Sequence, residues 1–142
     1  MGAIRNPFEP DWALRATPGM NSGAARLRRL AVVALGSQRR AFLRLVHQSK
    51  LATTDGTLGV LATGTLDVTN TLRSLLAAMP DGAWELVCHP GYPDQHLDAV
   101  RTRLRASRIA EHAALLDLIP GIPLASWREL SAPGTVQAPL RR

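Results

Sequence analysis

One cysteine, Cys88, is all that the 142 residues contain, so neither an internal disulfide nor a cysteine-rich zinc site can be built from this chain. Aromatic residues are equally scarce at 4%, which removes the stacking platforms on which single-stranded nucleic acids are held. Long apolar runs are missing too. The longest, Leu30 to Gly36, is flanked by arginines and falls far short of the roughly 20 residues that cross a bilayer. Met1 to Pro7 shows no apolar stretch behind a basic one, hence no secretory signal, and the cytoplasm is the expected compartment. Lysine is nearly absent: sixteen of the seventeen basic residues are arginine and only Lys50 is lysine. A net charge of +6 invites a nucleic-acid reading. A bias toward Arg, Ala, Leu and Gly follows from GC-rich codons alone, however, and with so few aromatics nucleic acid is not the expected partner.

Several chemistries lack their signatures. There is no GxGxxG and no P-loop lysine around Gly19 or Gly56 to Gly59, and no GxSxG elbow around Ser37, Ser49 or Ser126. None of the four histidines pairs with another at the spacing of a metal-binding helix or strand, so this chain alone is expected to hold no metal. His47 and His112 sit among polar neighbours on predicted helices and read as solvated, and His96 heads a helix. His89 differs, because it directly follows a predicted strand and precedes Pro90-Gly91, which hold it on a constrained loop. It is the candidate acid or substrate contact, with a structural hydrogen bond as the alternative. Cys88 reads as a buried strand-end thiol with no base beside it. Glu111, four residues beyond Ser107 on a predicted helix, reads as a surface ion-pair partner.

What is present is a globular balance, 46% hydrophobic and 20% charged, in a length that suits one domain. Ala3 to Arg5 reads as a strand running into a loop at Pro7 and Pro10. From Ala24, the apolar positions Leu27, Leu30, Ala31 and Ala34 recur at helical spacing among Arg26, Arg28 and Arg29, with Ser22 available as a cap. Gly36-Ser37 breaks that amphipathic helix before Ala41, Phe42 and Leu45 resume the pattern. Residues 50–64 suit a strand and an exposed loop. Thr65 caps a helix from Leu66 to Met79, with Leu66, Leu72, Leu75 and Leu76 buried and Asp67 in its first turn. Trp84 to Cys88 is a strand, Leu97 to Ile119 a long helix, Ile122 to Ala125 a last short strand, Ser126 to Leu130 a turn, and residues 131–142 a frayed tail. Alternating strands and helices predict α/β architecture with a largely parallel sheet. Chemistry in such folds collects at the carboxyl ends of the strands.

The run Trp84 to Asp94, followed by Arg101-Thr102-Arg103-Leu104-Arg105 and Arg108-Ile109-Ala110-Glu111, resembles the closing third of the YdjC-like carbohydrate deacetylases. Ala3 to Pro10 and Thr53-Thr54-Asp55 are similar to the hopanoid-biosynthesis-associated (ChbG/HpnK) branch of that family, and the resemblance spans residues 3–130. It implies a (β/α) barrel that removes an N-acetyl group from an amino sugar, using a divalent metal, Mg or Zn, to polarise the amide and activate water. The family's opening Asn-Ala-Asp-Asp-like strand end and its His-x-His segment have no counterpart here, because Arg5-Asn6-Pro7 already corresponds to the motif that follows them. Among the family's site residues only the histidine of the His-Pro-Gly block carries over, onto His89. Arg5 and Tyr92 are the candidate substrate-binding residues. The expectation is a partial barrel of parallel strands with flanking helices, lacking the N-terminal strands and inactive alone. Its partners would be an amino-sugar substrate once completed, and either the missing half or further copies of itself along the open sheet edges. An arginine-rich, non-catalytic binding module on the same scaffold is the alternative.

Overall fold

The computed structural model describes residues 2–18, 23–66, 71–92, 94–101 and 104–131. Chain order within them is α1 (Asp11–Ala16), α2 (Gly23–Gly36), α3 (Arg39–Gln48), β1 (Gly56–Leu58), α4 (Thr71–Ala78), β2 (Trp84–Leu86), α5 (Gln95–Ala99), α6 (Arg105–Leu118), a 3₁₀ turn (Ile119–Gly121) and α7 (Trp127–Leu130). The centre is one crossover unit: parallel strands cannot be joined by a tight turn, so the chain leaves β1, crosses through α4 and returns as β2. Gly56, Thr57 and Leu58 lie opposite Trp84, Glu85 and Leu86 in parallel register. The N-terminal segment runs alongside β1. Ala3 bridges Ala52 in parallel, and the Thr57 amide donates to the Phe8 carbonyl at 3.1 Å. Asn6, fully buried, ties this segment down, donating to the Thr54 carbonyl while its own carbonyl accepts from the Thr57 hydroxyl.

The core lies between these strands and the helices. Leu58, Leu66, Leu72 and Leu75 pack with Ala13 of α1 and Ala114 of α6, and Trp84, Leu86 and Cys88 line its edge. Trp12 meets Trp84 edge-to-face at 5.1 Å between centroids, an arrangement that suits the ring quadrupoles. α1 has no counterpart in the sequence reading. Its signals are Pro10, extended at the N-cap position, and Asp11 in the first turn, with Ala13 and Leu14 buried.

Of the predicted strands, the first is a single bridge, the third contracts to three residues and residues 122–125 form none, while the second forms at Gly56–Leu58, which is buried together with Gly59, Leu61 and Ala62 where an exposed loop was expected. The expected helix from Leu97 to Ile119 is instead α5 and α6. The break at Gly36-Ser37 occurs as expected, and Ser126 with Glu129 makes a capping box that starts α7. Ser22 and Asp67, and the tail beyond Ser131, lie outside the described residues. The fold is α/β in kind, with two parallel strands flanked by helices. No described helix is long and apolar enough to cross a membrane.

Gly59 shows why the strand end cannot vary. Its φ is +88°, and a Cβ there would stand 2.7 Å from the Val87 carbonyl oxygen. Gly59→Ala is therefore expected to lower stability by roughly 1–3 kcal/mol, read as a fall in the urea midpoint with an unchanged slope. An unchanged midpoint would mean that the turn relaxes freely.

Candidate functional site

Two carboxyl strand ends meet here, Gly59 after β1 and Val87 to His89 after β2, joined where the Val87 amide donates to the Leu58 carbonyl at 2.9 Å. Beyond β2 the backbone is no longer paired along a strand, so its amides need other acceptors. Helix α6 supplies them. The His89 amide donates to Oε2 of Glu111 at 2.6 Å, and the Gly91 amide donates to the Arg108 carbonyl at 3.2 Å. A Cβ on Gly91 would stand 3.4 Å from the Arg108 stem, ordinary van der Waals contact, so the loop lies directly against the helix. The His-Pro-Gly loop is thus clamped at both ends to one helical turn.

Glu111 is 1% exposed, which corrects its reading as a surface ion-pair partner. The reason is register: Ser107, Glu111, Ala114 and Leu118 recur at four, three and four residues, the spacing of an inward stripe. That spacing is the signal by which the sequence could have revealed it. The residue departs from the ordinary rule that charged groups avoid full burial, and it does so where the loop backbone needs an acceptor. Its negative charge also reaches Cys88, whose thiol pKa is raised first by burial and then by Glu111. The thiol is therefore held neutral, in keeping with an inert strand-end cysteine.

Three polar atoms at this one contact are buried without a protein partner among the described residues: Nδ1 of His89, Nε of Arg108 and the second oxygen of Glu111. Such atoms are uncommon in folded proteins, and each calls for a partner outside the protein, a water or a bound group. Tyr92, in the same loop, is 68% exposed, its ring 4.5 Å from that of His112 on α6. Arg5 is placed differently. Its guanidinium bonds Glu85 at 2.6 Å in the middle of β2, four residues before His89. The structure therefore sets His89 and Tyr92 on one loop and ties Arg5 to the strand that leads into it. His47, His96 and His112 lie on helices α3, α5 and α6.

Across the strand ends stands a second buried carboxylate that sequence reading missed. Glu9, 6% exposed, accepts from the Gly59 amide at 2.8 Å and the Leu61 amide at 2.7 Å. The turn it organises is held from outside by Arg28, which donates to the Leu61 and Thr63 carbonyls. Glu9 is saturated by backbone, so its work is to shape the loop after β1.

The described residues gather no group of three or more His, Cys, Asp or Glu side chains able to hold a metal. His89 and Glu111 offer one free buried atom each at the same contact, fewer than the roughly three protein ligands of a catalytic zinc. The family model described as YdjC-like protein matches residues 1–118. Neither a curated protein nor a solved structure matches the chain.

Proposed function

We propose, since the chain belongs to the YdjC-like family, that it carries the closing portion, residues 3–130, of a metal-dependent deacetylase acting on N-acetylated amino sugars, of the hopanoid-associated (ChbG/HpnK) branch. The family is known for carbohydrate deacetylase-like function, and it suggests use of a metal. The residues described here do not fit a complete metal site. The ligands of that reading would lie on the strands that open the barrel, outside the pattern of this chain.

What this chain's own residues do is hold and move a proton. Amide hydrolysis needs the departing nitrogen protonated, because a free amide anion is a very poor leaving group. His89 is the group for that task. Its backbone is fixed by Glu111, and its Nδ1 is buried without a protein partner, the observation that carries the reading. With its backbone fixed at the His89 and Gly91 amides, the loop needs little reorganisation to present the imidazole to a substrate atom. Tyr92 presents an exposed aromatic face of the kind on which a sugar ring packs, and Arg5 orients polar groups from the strand side. A two-stranded unit leaves sheet edges open, which the remaining strands of a barrel, or another copy, would cover. Cytoplasmic placement belongs to the same reading.

The test pairs this chain with a family-like N-terminal half and measures acetate released from an N-acetylated amino sugar with added divalent metal. Release by the pair and not by either part alone is the expected result. A folded pair that takes up metal yet releases no acetate would overturn the reading.

A further inference from the structure

Residues 23–50, which span α2 and α3, hold seven of the seventeen basic residues and no Asp or Glu, whereas the other 114 residues hold ten basic and eleven acidic groups. The protein's entire positive excess therefore sits on this pair of helices. The same segment turns its apolar stripe outward. An amphipathic helix is expected to bury such a stripe, yet Leu27 is 70% and Leu30 67% exposed, with Ala31 and Ala34 exposed beside them, while Val32 on the opposite side is buried. The orientation is pinned, because Arg28 reaches inward to donate to the Leu61 and Thr63 carbonyls. On α3 the arrangement repeats in charge. Val46 is buried, Arg39 donates to the Asp55 carbonyl, and Arg40, Arg44 and Leu45 are exposed.

We propose that α2 and α3 dock the protein on an anionic lipid surface, with Leu27 and Leu30 entering the headgroup boundary and Arg26, Arg29, Arg40 and Arg44 meeting lipid phosphates. Leucines ringed by arginines on a helix without acidic residues are the composition of an interfacial helix that lies on a membrane without spanning it. Nucleic acid would satisfy the arginines but gives the two leucines no apolar surface. The segment's one aromatic, Phe42, is already packed edge-to-face on Phe8. A second copy fits no better, since a twofold contact would set seven positive charges against seven. The proposal holds whether or not the chain deacetylates a sugar.

The test is flotation of the full chain in a density gradient with phosphatidylcholine vesicles carrying about 30% phosphatidylglycerol, an anionic fraction that sets up a clear negative surface potential. Bound protein rises with the vesicles and self-associated protein sinks. Flotation is expected with the anionic vesicles and not with phosphatidylcholine alone. Leu27→Gln with Leu30→Gln should weaken it roughly ten-fold, and Arg40→Gln with Arg44→Gln roughly thirty-fold. Arg101→Gln with Arg128→Gln removes the same charge from exposed positions elsewhere and should leave it unchanged. All six side chains are exposed, and an unchanged circular dichroism spectrum confirms that each variant folds. Absence of flotation, an equal loss in the control pair, or full binding by the leucine pair would each overturn the proposal. So would duplex RNA binding that is as tight as vesicle binding and indifferent to the leucines.

Discussion

His89→Gln, in a barrel completed with a family-like N-terminal half, is expected to lower turnover of an N-acetylated amino sugar by roughly 10²–10⁴-fold, the usual contribution of a positioned general acid or base. Glutamine can replace a neutral hydrogen bond but cannot give up an acid proton, so it separates chemistry from architecture. The loop itself should survive the change, because it is held through the His89 and Gly91 amides and not through the imidazole. If His89 served only to hydrogen-bond its surroundings, the glutamine variant would turn over near the normal rate per folded molecule, and His89→Ala would lose stability instead. Glu111→Gln is the companion measurement. A glutamine oxygen still accepts the His89 amide, so the loop should stay in place, whereas Glu111→Ala leaves that half-buried amide without its acceptor. Activity that survives in His89→Gln would end the catalytic assignment.

What the sequence made legible was the class of fold and the loop, and what it hid was orientation. Turn formers after a short β-branched and aromatic run were enough to place His89 at a strand end, because Pro90 and Gly91 have few other uses. The buried leucines of α4 were legible for the same reason: Leu72 and Leu75 follow helical spacing and face the sheet. Periodicity misled on α2. It shows that a stripe exists but not which way it faces, and the deciding contacts of Arg28 join residues more than thirty positions apart. Glu111 and Glu9 were hidden by type, since a carboxylate is read as surface unless backbone donors wait for it. Those donors belong to His89, Gly59 and Leu61, which are distant in sequence. The short strands were over-read because their pairing ends where the loops turn to helices and carboxylates for their hydrogen bonds.

Glu9→Ala is expected to lower stability by about 2–6 kcal/mol, since it strands two buried amides, of Gly59 and Leu61, at about 1–3 kcal/mol each. A loss of that size is a large part of what holds a small domain together. Glu9→Gln should fall between, because one amide oxygen can accept from either donor while the NH₂ group faces the other. The pH dependence separates the charge from the shape. Burial pushes the Glu9 carboxyl above its usual 4.5, against the opposing pull of the Leu61, Gly59 and Val60 amides. The folded state therefore binds this proton more tightly than the unfolded chain. Glu9 contributes stability that is fully present below the unfolded value of 4.5 and is lost as pH rises through the higher folded value. The advantage of wild type over Glu9→Gln should accordingly be largest in acid and narrow toward neutrality, measured as urea midpoints of the full chain at about pH 4 and about pH 7. A difference that stays flat across that window would show that burial does not shift the group. A Glu9→Ala midpoint equal to wild type would show that Gly59 and Leu61 find other acceptors, and that the turn after β1 stands without its carboxylate.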